Sequence, residues 1–468
     1  MFLAAFASAC HDPDPADTDR SSDDSADDSA DAPADTAPVD VPGPLLTSPA
    51  EAADGDPAAG AFLTELRPAP ATFTVDGVAV DGYAYNGQVP GPTLRVALGD
   101  TVTTVLQNDL AAATTVHWHG MQVPEAMDGA GWVDGGVLPG AAFTYTFTAD
   151  APGTFWYHPH LDVGAQVDGG LYGVVVVEDP AAPAVDRDLV LVFDAWGEHD
   201  DGAPGLDAEA DDHHALTNPA RTRWTVNGLV GARFEAVGGE RIRVRTLNAS
   251  NSSYLALAWP DMRHIGSDQG LFGAPEAPDY VVLAPGDRAE FEWDIGPDGF
   301  DVTTLPWVAS AGAAVGDPRT LLTVEVPAPA PAPTPMAWPS ATTAVSADPA
   351  RTDLVYVFQG GGAGDWLING EAWPDVTRHT AALDADTVIE VRNLSATNHP
   401  FHLHGQRFEV LSVDDVAPPA RRVEDTVDVG IRQRVRLLLH AENPGDWLLH
   451  CHLLGHEEGG MMTVLRVE

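Results

Sequence analysis

An internal repeat of 141 to 142 residues is the feature that most constrains the fold of this chain. Asn-Gly dipeptides begin at Asn86, Asn227 and Asn369. Each is followed by a run of alternating apolar and polar residues that ends in a further asparagine, at Asn108, Asn248 and Asn393. Such alternation predicts strands with one buried face, and a fixed long period indicates copies of one unit. We therefore predict an all-β chain of three β-sandwich domains.

Four His-x-His pairs distinguish the first and third copies from the second. His117-Trp118-His119-Gly120 and His402-Leu403-His404-Gly405 share one pattern, 285 residues apart. His158-Pro159-His160 and His450-Cys451-His452 share a second pattern, 292 residues apart. The middle copy has Tyr254-Leu255-Ala256-Leu257 at the corresponding place, which offers no metal ligand. The two outer copies must therefore face each other if their histidines form one site, and the middle copy is predicted to be a spacer or a wall facing the substrate.

The triplet His450-Cys451-His452 links two kinds of metal ligand on one strand. Successive side chains of a strand point to opposite faces, so Cys451 faces away from the two histidines. A thiolate suits a soft, redox-active metal, and with two histidines and an axial methionine it forms the blue-copper ligand set. The two imidazoles on the other face suit copper, iron or zinc.

These motifs resemble the signatures of the multicopper oxidases, the family of laccases and cuprous oxidases, from residue 65 to residue 468. The resemblance implies three cupredoxin-like Greek-key β-sandwich domains and four copper ions. It implies that one type 1 copper is bound by His399, Cys451 and His456, with Met461 as axial ligand. It implies that one type 2 copper is bound by His117 and His402. It implies that two type 3 copper ions are bound by His119, His158, His160, His404, His450 and His452.

The resemblance also implies an activity. A phenolic or aromatic donor, or a low-valent metal ion, would give one electron at a time to the type 1 site, and Cys451 would pass each electron towards His450 and His452. Dioxygen would be reduced to water by four electrons at the other three copper ions. Asp128 and Glu457 resemble acidic residues that donate protons beside this cluster. The alternative for each is a solvated acid in a surface loop.

Several other interpretations use the same residues. A zinc site uses histidine and cysteine, but structural zinc takes four ligands at one point. Met462 competes with Met461 as the axial ligand. A non-enzymatic copper-binding or copper-tolerance protein would need neither the linked sites nor a proton donor. A two-domain copper nitrite reductase would lack the middle copy and need fewer imidazoles.

The electron donor is less well determined by the sequence. A specialised cuprous oxidase is expected to have a methionine-rich insert, and the chain has seven methionines with one adjacent pair, Met461-Met462. The acidic segment from Glu198 to His214 has the composition of either a metal-binding loop or a solvated surface loop. Phenolic or broad one-electron donors are therefore the default prediction.

Composition excludes some partners. The chain has 23 basic and 70 acidic residues in a length of 468, and this excess of negative charge argues against nucleic acid and anionic membranes as partners. Its two cysteines, Cys10 and Cys451, provide no disulfide framework. We predict a monomer whose partners are dioxygen and a small-molecule or metal-ion donor.

The first residues predict export from the cytoplasm. Residues 1–10 are apolar and end in Ala7-Ser8-Ala9-Cys10, which resembles a truncated signal with a lipobox, so Cys10 is a candidate lipid anchor. Residues 11–60 hold fourteen acidic residues against one arginine and are predicted to be a disordered tether. The predicted location is periplasmic or at the cell surface. The remaining predicted segments are domain 1 at 61–184, domain 2 at 185–326, a Pro/Ala-rich linker at 327–350 and domain 3 at 351–468.

Overall fold

A computed structural model describes residues 42–130, 135–198, 204–205, 223–336, 338, 348, 351–360 and 366–468. The described chain is almost entirely β-strand, as predicted. The first repeat contains a 3-10 helix, Glu125–Met127, the helix α1, Val163–Asp168, and these strands: β1 Ala61–Leu66, β2 Pro68–Val75, β3 Val78–Tyr85, β4 Leu94–Ala97, β5 Thr101–Gln107, β6 His117–His119, β7 Ala142–Thr148, β8 Gly153–His158 and β9 Gly173–Glu178.

The second repeat contains these strands: β10 Arg187–Glu198, β11 Pro204–Gly205, β12 Arg223–Val226, β13 Ala232–Val237, β14 Arg241–Asn248, β15 Leu255–Ala258, β16 His264–Ser267, β17 Gly270–Glu276, β18 Val281–Leu283, β19 Arg288–Asp294, β20 Phe300–Val308, β21 Ala313–Ala314 and β22 Arg319–Ala328. The third repeat contains the helix α2, Leu454–Glu458, and these strands: β23 Leu354–Gln359, β24 Leu367–Ile368, β25 His379–Ala381, β26 Asp386–Asn393, β27 His399–Leu403, β28 Phe408–Val413, β29 Val423–Glu424, β30 Thr426–Val429, β31 Arg434–His440, β32 Gly445–Cys451 and β33 Met462–Val467.

Each repeat is a sandwich with its own apolar core. The larger sheets are ordered β1-β5-β7 and β4-β9-β8-β6 in the first repeat, β11-β10-β14-β19-β16-β17 and β13-β22-β20-β15-β18 in the second, and β24-β23-β26-β31-β28-β29 and β25-β33-β32-β27-β30 in the third. Alternation builds the cores: in β5, Val102, Thr104 and Leu106 point inwards and are buried. All three repeats contain the same parallel pairing, β1 with β5, β10 with β14 and β23 with β26. The all-β, cupredoxin-like fold is thereby confirmed.

The Asn-Gly asparagines that mark the repeat make the same side-chain hydrogen bond in all three copies. Asn86, Asn227 and Asn369 all have a positive φ, between 50° and 55°, which asparagine tolerates better than most residues. Their side-chain oxygens accept a hydrogen bond of 2.7 Å from the backbone N–H of Arg67, Val192 and Val357, respectively. Each turn is thereby clamped to a neighbouring stretch of backbone, which explains why the dipeptide recurs with the period of the fold.

The second set of asparagines closes the loops in front of β6, β15 and β27. The buried side-chain amide of Asn393 donates to the carbonyls of Thr397 and Val429, at 2.7 and 2.9 Å. Asn108 and Asn248 make the equivalent pairs of bonds in the first and second repeats. A buried amide that satisfies two loop carbonyls holds an irregular segment in one conformation.

The predicted tether is wrong in its last part. Leu46 is buried in the core of the second repeat, and its backbone N–H donates to the carbonyl of Arg233 at 2.7 Å. The backbone N–H of Ala52 donates to the carbonyl of Thr93 at 2.9 Å. This stretch belongs to the folded unit because it adds backbone hydrogen bonds and an apolar side chain to two repeats. The acidic composition averaged over residues 11–60 concealed that local pattern, and residues 11–41 lie outside the described residues, as does Cys10.

Every sheet formed by the described residues stays within one of the three stretches 61–178, 187–328 and 354–467. The start of the predicted linker continues β22 to Ala328, and the carbonyl of Ala328 accepts the N–H of Gly238 at 3.1 Å. The domain bounds stay predictions.

Most of the acidic segment from Glu198 to His214 lies outside the described residues. Among the described residues, no helix has the length and apolar character needed to cross a bilayer.

Candidate metal centres

Paired strands bring the histidine motifs together in register. In the first repeat, His117 on β6 lies opposite His158 on β8. In the third repeat, His402 on β27 lies opposite His450 on β32. Residues directly opposite each other in a sheet project to the same face, so each pair of motifs presents its imidazoles together. The sequence patterns that recur in the two outer repeats are therefore two halves of one site.

All eight predicted cluster histidines meet between the first and third repeats, and all are buried. His117 stacks on His404, with ring centroids 3.8 Å apart, and His119 stacks on His402 at 3.7 Å. The set is completed by His158, His160, His450 and His452, whose rings pack edge to face with the others. Three groups of these histidines bring ligand atoms within 4.8 Å of one another.

Outer hydrogen bonds leave the inner nitrogens free to bind metal. The Nδ1 atoms of His117, His158 and His402 lie 2.8 to 3.0 Å from backbone carbonyls. A carbonyl only accepts, so Nδ1 must donate, and Nε2 keeps a bare lone pair. These three Nε2 atoms are buried without a hydrogen-bond partner. A converging set of unpartnered buried nitrogens is costly unless a ligand satisfies it, and a metal ion does so.

Burial also keeps these imidazoles in the neutral form that binds metal. Desolvation lowers the pKa of His158, His402 and His404 well below the usual value, and the neighbouring histidines lower it further. Desolvation likewise lowers the pKa of His450 to about 4. The cluster therefore has its lone pairs available at neutral pH.

A second site lies on the opposite face of β32. The Sγ atom of Cys451 is 3.3 Å from Nδ1 of His399 and 3.6 Å from Nδ1 of His456, and these two nitrogens are 3.1 Å apart. The outer Nε2 of His399 lies 2.6 Å from the hydroxyl of Ser395. Desolvation lowers the pKa of His399 to about 3. One thiolate and two neutral imidazoles thus converge, on the face that strand alternation predicts for Cys451.

Strand register separates the two adjacent methionines. Met462 on β33 lies opposite His450, so it shares the face of the histidine cluster, and it packs with Ala130 and Leu448. Met461 is fully buried in the apolar cluster that contains Cys451. Met461 is therefore the one positioned for the cysteine site.

Both predicted acids touch the histidine cluster. Asp128 has Oδ2 at 2.9 Å from Nδ1 of His404 and Oδ1 at 3.2 Å from Nδ1 of His117. Glu457 has Oε2 at 3.2 Å from Nδ1 of His450. Burial, together with the neighbouring Glu458, raises the pKa of Glu457 to about 8. Neither acid is a solvated loop residue, because both are at least 95% buried.

Cavities connect each acid to the surface. A cavity of about 660 Å³ is lined by Asp128 at its buried end and by Leu138, which is 64% exposed. A second cavity of about 290 Å³ is lined by His160 and Glu457 inside and by the exposed Asp162. One cavity therefore borders Asp128, and the other borders Glu457 and the cluster residue His160.

The sequence interpretation missed the side chains that surround the two sites. Trp366 stacks on His456 with ring centroids 3.5 Å apart, and it is half-buried. From the middle repeat, Gly286 lies against the ring of His452, and a Cβ atom there would be 3.0 Å away. Arg288 of the same repeat reaches Asp425, beside His119. No motif marks these residues: the contact of Trp366 depends on how the third repeat folds, and those of Gly286 and Arg288 depend on how the repeats pack.

Comparison with known proteins agrees with this geometry. Residues 69–182 and residues 343–468 each match a family model described as multicopper oxidase. The multicopper oxidase MmcO of Mycobacterium tuberculosis is 32% identical over 445 residues, which cover 86% of each chain. The chain belongs to the multicopper oxidase family. It is therefore a copper-dependent oxidoreductase with oxygen as the acceptor, and the free nitrogens and the thiolate described above fit copper.

Other multicopper oxidases extend the similarity. Laccase-1 of Botryotinia fuckeliana is 26% identical over 462 residues, covering 83% of this chain and 79% of its own length. The crystal structure of the multi-copper oxidase from Pseudomonas thermotolerans superposes with a TM-score of 0.74 at 27% identity, covering 88% of this chain and all of that one. The similarity therefore extends over most of the chain, including the middle repeat.

Proposed function

We propose that this multicopper oxidase couples the one-electron oxidation of a phenolic or aromatic donor, or of a low-valent metal ion, to the four-electron reduction of dioxygen to two water molecules. One observation carries the proposal: Cys451, the last residue of β32, lies with His399 and His456, whereas its chain neighbours His450 and His452 lie among the cluster histidines. Four donors lose one electron each, and four protons are consumed with each dioxygen.

The ligand assignment follows from the two sites. When bound, copper supplies one-electron redox chemistry at the cysteine site, and oxygen binding and reduction at the histidine cluster. We assign the type 1 copper to His399, Cys451, His456 and Met461. We assign the type 2 copper to His117 and His402. We assign the type 3 pair to His119, His158, His160, His404, His450 and His452.

The cysteine strand is the shortest covalent path between the two sites. Cys451 is joined to His450 and to His452 by one peptide bond on either side. The Nδ1 of His450 also lies 3.0 Å from the carbonyl of Cys451, which adds a second short connection. An electron accepted at the cysteine site therefore has a path to the histidine cluster that stays within three residues.

Asp128 and Glu457 are the proton donors in this proposal. Each lies within 3.2 Å of an imidazole nitrogen of the cluster, and each lines a cavity that reaches the surface. A carboxyl group in such a place can receive a proton from water in the cavity and pass it inwards.

An aromatic donor is favoured by the covering of the cysteine site. His399 and His456 are both fully buried, so neither imidazole presents an edge to solvent. The ring of Trp366, which stacks on His456, is the half-buried surface above it. A flat aromatic donor can stack on that indole, whereas a hydrated metal ion finds no ligand in it.

Visible absorption and oxygen uptake test the proposal together. Copper-loaded protein should have an intense blue band that bleaches with donor under argon and returns with air. Oxygen uptake is then compared for a phenolic donor, Cu(I) and Fe(II), in the wild type and in Trp366→Leu. Trp224→Leu, a partly buried tryptophan of the second repeat, is the matched control. A selective loss with the phenol supports the aromatic donor, and an equal loss with all three contradicts it.

A non-enzymatic copper-binding role is the second candidate. Full copper loading without a blue band or oxygen uptake would favour it over the oxidase.

We further propose that the protein acts outside the cytoplasm as a monomer, with a lipid on Cys10 as its one membrane attachment. Mass spectrometry of the mature protein tests the lipid, and unmodified Cys10 in that protein would contradict it.

A further inference from the structure

A buried arginine of the middle repeat connects all three repeats beside the histidine cluster. Arg288 begins β19, and its Nε donates to the carbonyl of Thr154 in β8 at 2.9 Å. Its Nη1 donates to Oδ1 of Asp425 at 2.9 Å, and its Nη2 donates to Oδ2 of the same carboxylate. Such a two-point pair fixes the orientation of the carboxylate as well as its position. The second repeat thus determines where Asp425 points.

The held carboxylate touches the cluster. Oδ1 of Asp425 is 3.0 Å from Nε2 of His119. The hydroxyl of Thr426 is 2.9 Å from the same nitrogen, and it also donates to Oδ1 of Asp425 at 3.0 Å. The backbone carbonyl of Asp425 accepts a hydrogen bond from Nδ1 of His402 at 2.9 Å. Two histidines from different repeats therefore share one turn of chain as their outer partner.

His119 is reversed relative to other imidazoles of the cluster. In five of them, Nδ1 is the anchored outer nitrogen: His117, His158, His402, His404 and His450. In His119, Nε2 is anchored, and Nδ1 is buried without a partner. The ring nitrogen that binds metal must carry no proton, and the hydrogen bond made by the other nitrogen decides which one that is. His119 therefore needs the opposite tautomer.

The carboxylate of Asp425 is the group that can enforce this tautomer. An ionised carboxylate only accepts hydrogen bonds, so it requires the proton on Nε2. The hydroxyl of Thr426 can donate or accept and imposes no choice by itself. Without Asp425, the hydroxyl could donate to Nε2 and leave the proton on Nδ1, where it would block metal binding.

Neighbouring residues make room for the ion pair of Arg288 and Asp425 and hold it in place. Gly120 has φ +84°, and a Cβ atom there would lie 2.4 Å from Oδ2 of Asp425 and 2.7 Å from Nη2 of Arg288. Gln269 donates to Oδ2 of Asp425 at 2.7 Å. Asp268 accepts the backbone N–H groups of Arg288 and Thr426, both at 3.0 Å. The glycine of the His-x-His-Gly motif thus makes room for the ion pair.

We propose that Asp425 and Arg288 are positioning residues for the copper cluster. Asp425 keeps the proton of His119 on Nε2, so that Nδ1 stays a bare ligand atom, and Arg288 keeps Asp425 in the orientation that does this. The middle repeat, which has no cluster histidine, thereby takes part in building the cluster. The inference rests on the proposed function in taking His119 as a copper ligand.

The test is Asp425→Asn, whose amide can donate to Nε2 of His119. Histidine-ring ¹⁵N NMR of the copper-free protein should show the proton of His119 moving from Nε2 to Nδ1, with the signal assigned by its absence in His119→Gln. Copper binding by the cluster should weaken by ~10–100-fold, the usual effect of losing such an outer partner. The blue band should remain, because the cysteine site has no contact with Asp425.

Glu290→Gln is the matched control. Glu290 is an equally buried acid of the middle repeat, bonded to buried Arg245 at 2.6 Å, and it makes no contact with a cluster histidine in the described structure. It should alter neither the tautomer nor copper loading. If Glu290→Gln altered the tautomer of His119 and copper binding as Asp425→Asn does, the proposal would be overturned. The loss of any buried acid would then have the same effect.

Arg288→Lys and Thr426→Val make the test independent of one variant. Lysine lacks the planar pair of nitrogens that fixes the orientation of Asp425, so Arg288→Lys should weaken copper binding in the same direction. Thr426→Val keeps the carboxylate and should keep the tautomer of His119. An unchanged tautomer with full copper loading in Asp425→Asn would overturn the inference. The tautomer is measured without copper, so a failure of the oxidase assay would leave this result intact.

Discussion

The cysteine site and the histidine cluster share one strand but are built in different ways. The cysteine site takes His399, Cys451 and His456 from the third repeat alone, within 58 residues of chain. The cluster takes half of its histidines from each outer repeat, and the middle repeat adds Gly286 and Arg288 around it. A site within one sandwich depends on local strand geometry. A site between sandwiches depends on how they dock.

The largest expected effect isolates the cysteine site. Cys451→Ser should abolish the blue band and the oxidase activity, since the hydroxyl cannot replace the thiolate, while the cluster still loads its copper. Absorption, copper content and oxygen uptake measure this. Purified Cys10→Ser, which changes the other cysteine, should keep all three properties. Retained oxidase activity in Cys451→Ser would contradict the electron path.

The next effect concerns the proton supply of the cluster. Asp128→Asn should slow oxygen reduction by ~10²-fold or more, the usual range for loss of a general acid, with less effect on donor oxidation. Stopped-flow reduction by donor and reoxidation by oxygen separate the two steps. Asp109→Asn, an exposed acid of the same repeat, is the control. Equal slowing of both steps would remove Asp128 from this role.

A smaller effect tests the docking of the middle repeat. Gly286→Ala places a Cβ 3.0 Å from the ring of His452 at φ +90°, so copper loading of the cluster should fall while the blue band stays. The left-handed conformation alone costs ~1–2 kcal/mol. Gly316→Ala, at φ +80° with open space around it, carries that cost without the contact. Equal copper loading in the two variants would show that His452 is insensitive to the middle repeat.

The last effect is a pH dependence of the copper-free protein. Burial raises the pKa of Glu457 from 4.5 to about 8, so the folded state holds a proton that the unfolded state releases between these values. The free energy of unfolding should therefore fall as the pH rises from ~5 to ~8, by at most ~1.4 kcal/mol per pH unit for this group. Burial raises the pKa of Asp268 to about 7 and that of Asp428 to about 6, in the same direction.

Thermal unfolding of copper-free protein across this range measures the slope. Glu457→Gln should make it shallower, because the amide does not titrate. Asp375→Asn, at an exposed acid of the third repeat, should leave the slope unchanged. A slope that is identical in the wild type and in Glu457→Gln would show that Glu457 is ionised in the folded copper-free protein at all these pH values.

Much of the fold was predictable because its signals are local. Alternating residues predict strands, and the recurring asparagines predict three copies, since each makes the same clamp on neighbouring backbone. The packing of Leu46 into the folded unit was not predictable from composition, because an acidic segment with few large apolar residues resembles a tether until their partners are known.

The candidate metal centres also combine features that are local in the sequence with features that depend on tertiary packing. The sequence by itself determined the ligand types and the opposite faces of Cys451 and its neighbouring histidines, because strand periodicity depends only on order along the chain. Only the tertiary structure buried Met461 in the cluster of Cys451 and put Met462 on the face of His450, brought Trp366 onto His456, and set Arg288 beside Asp425. The last two contacts join residues far apart in the chain. Their geometry depends on strand register and on the packing of whole sandwiches, neither of which leaves a local pattern.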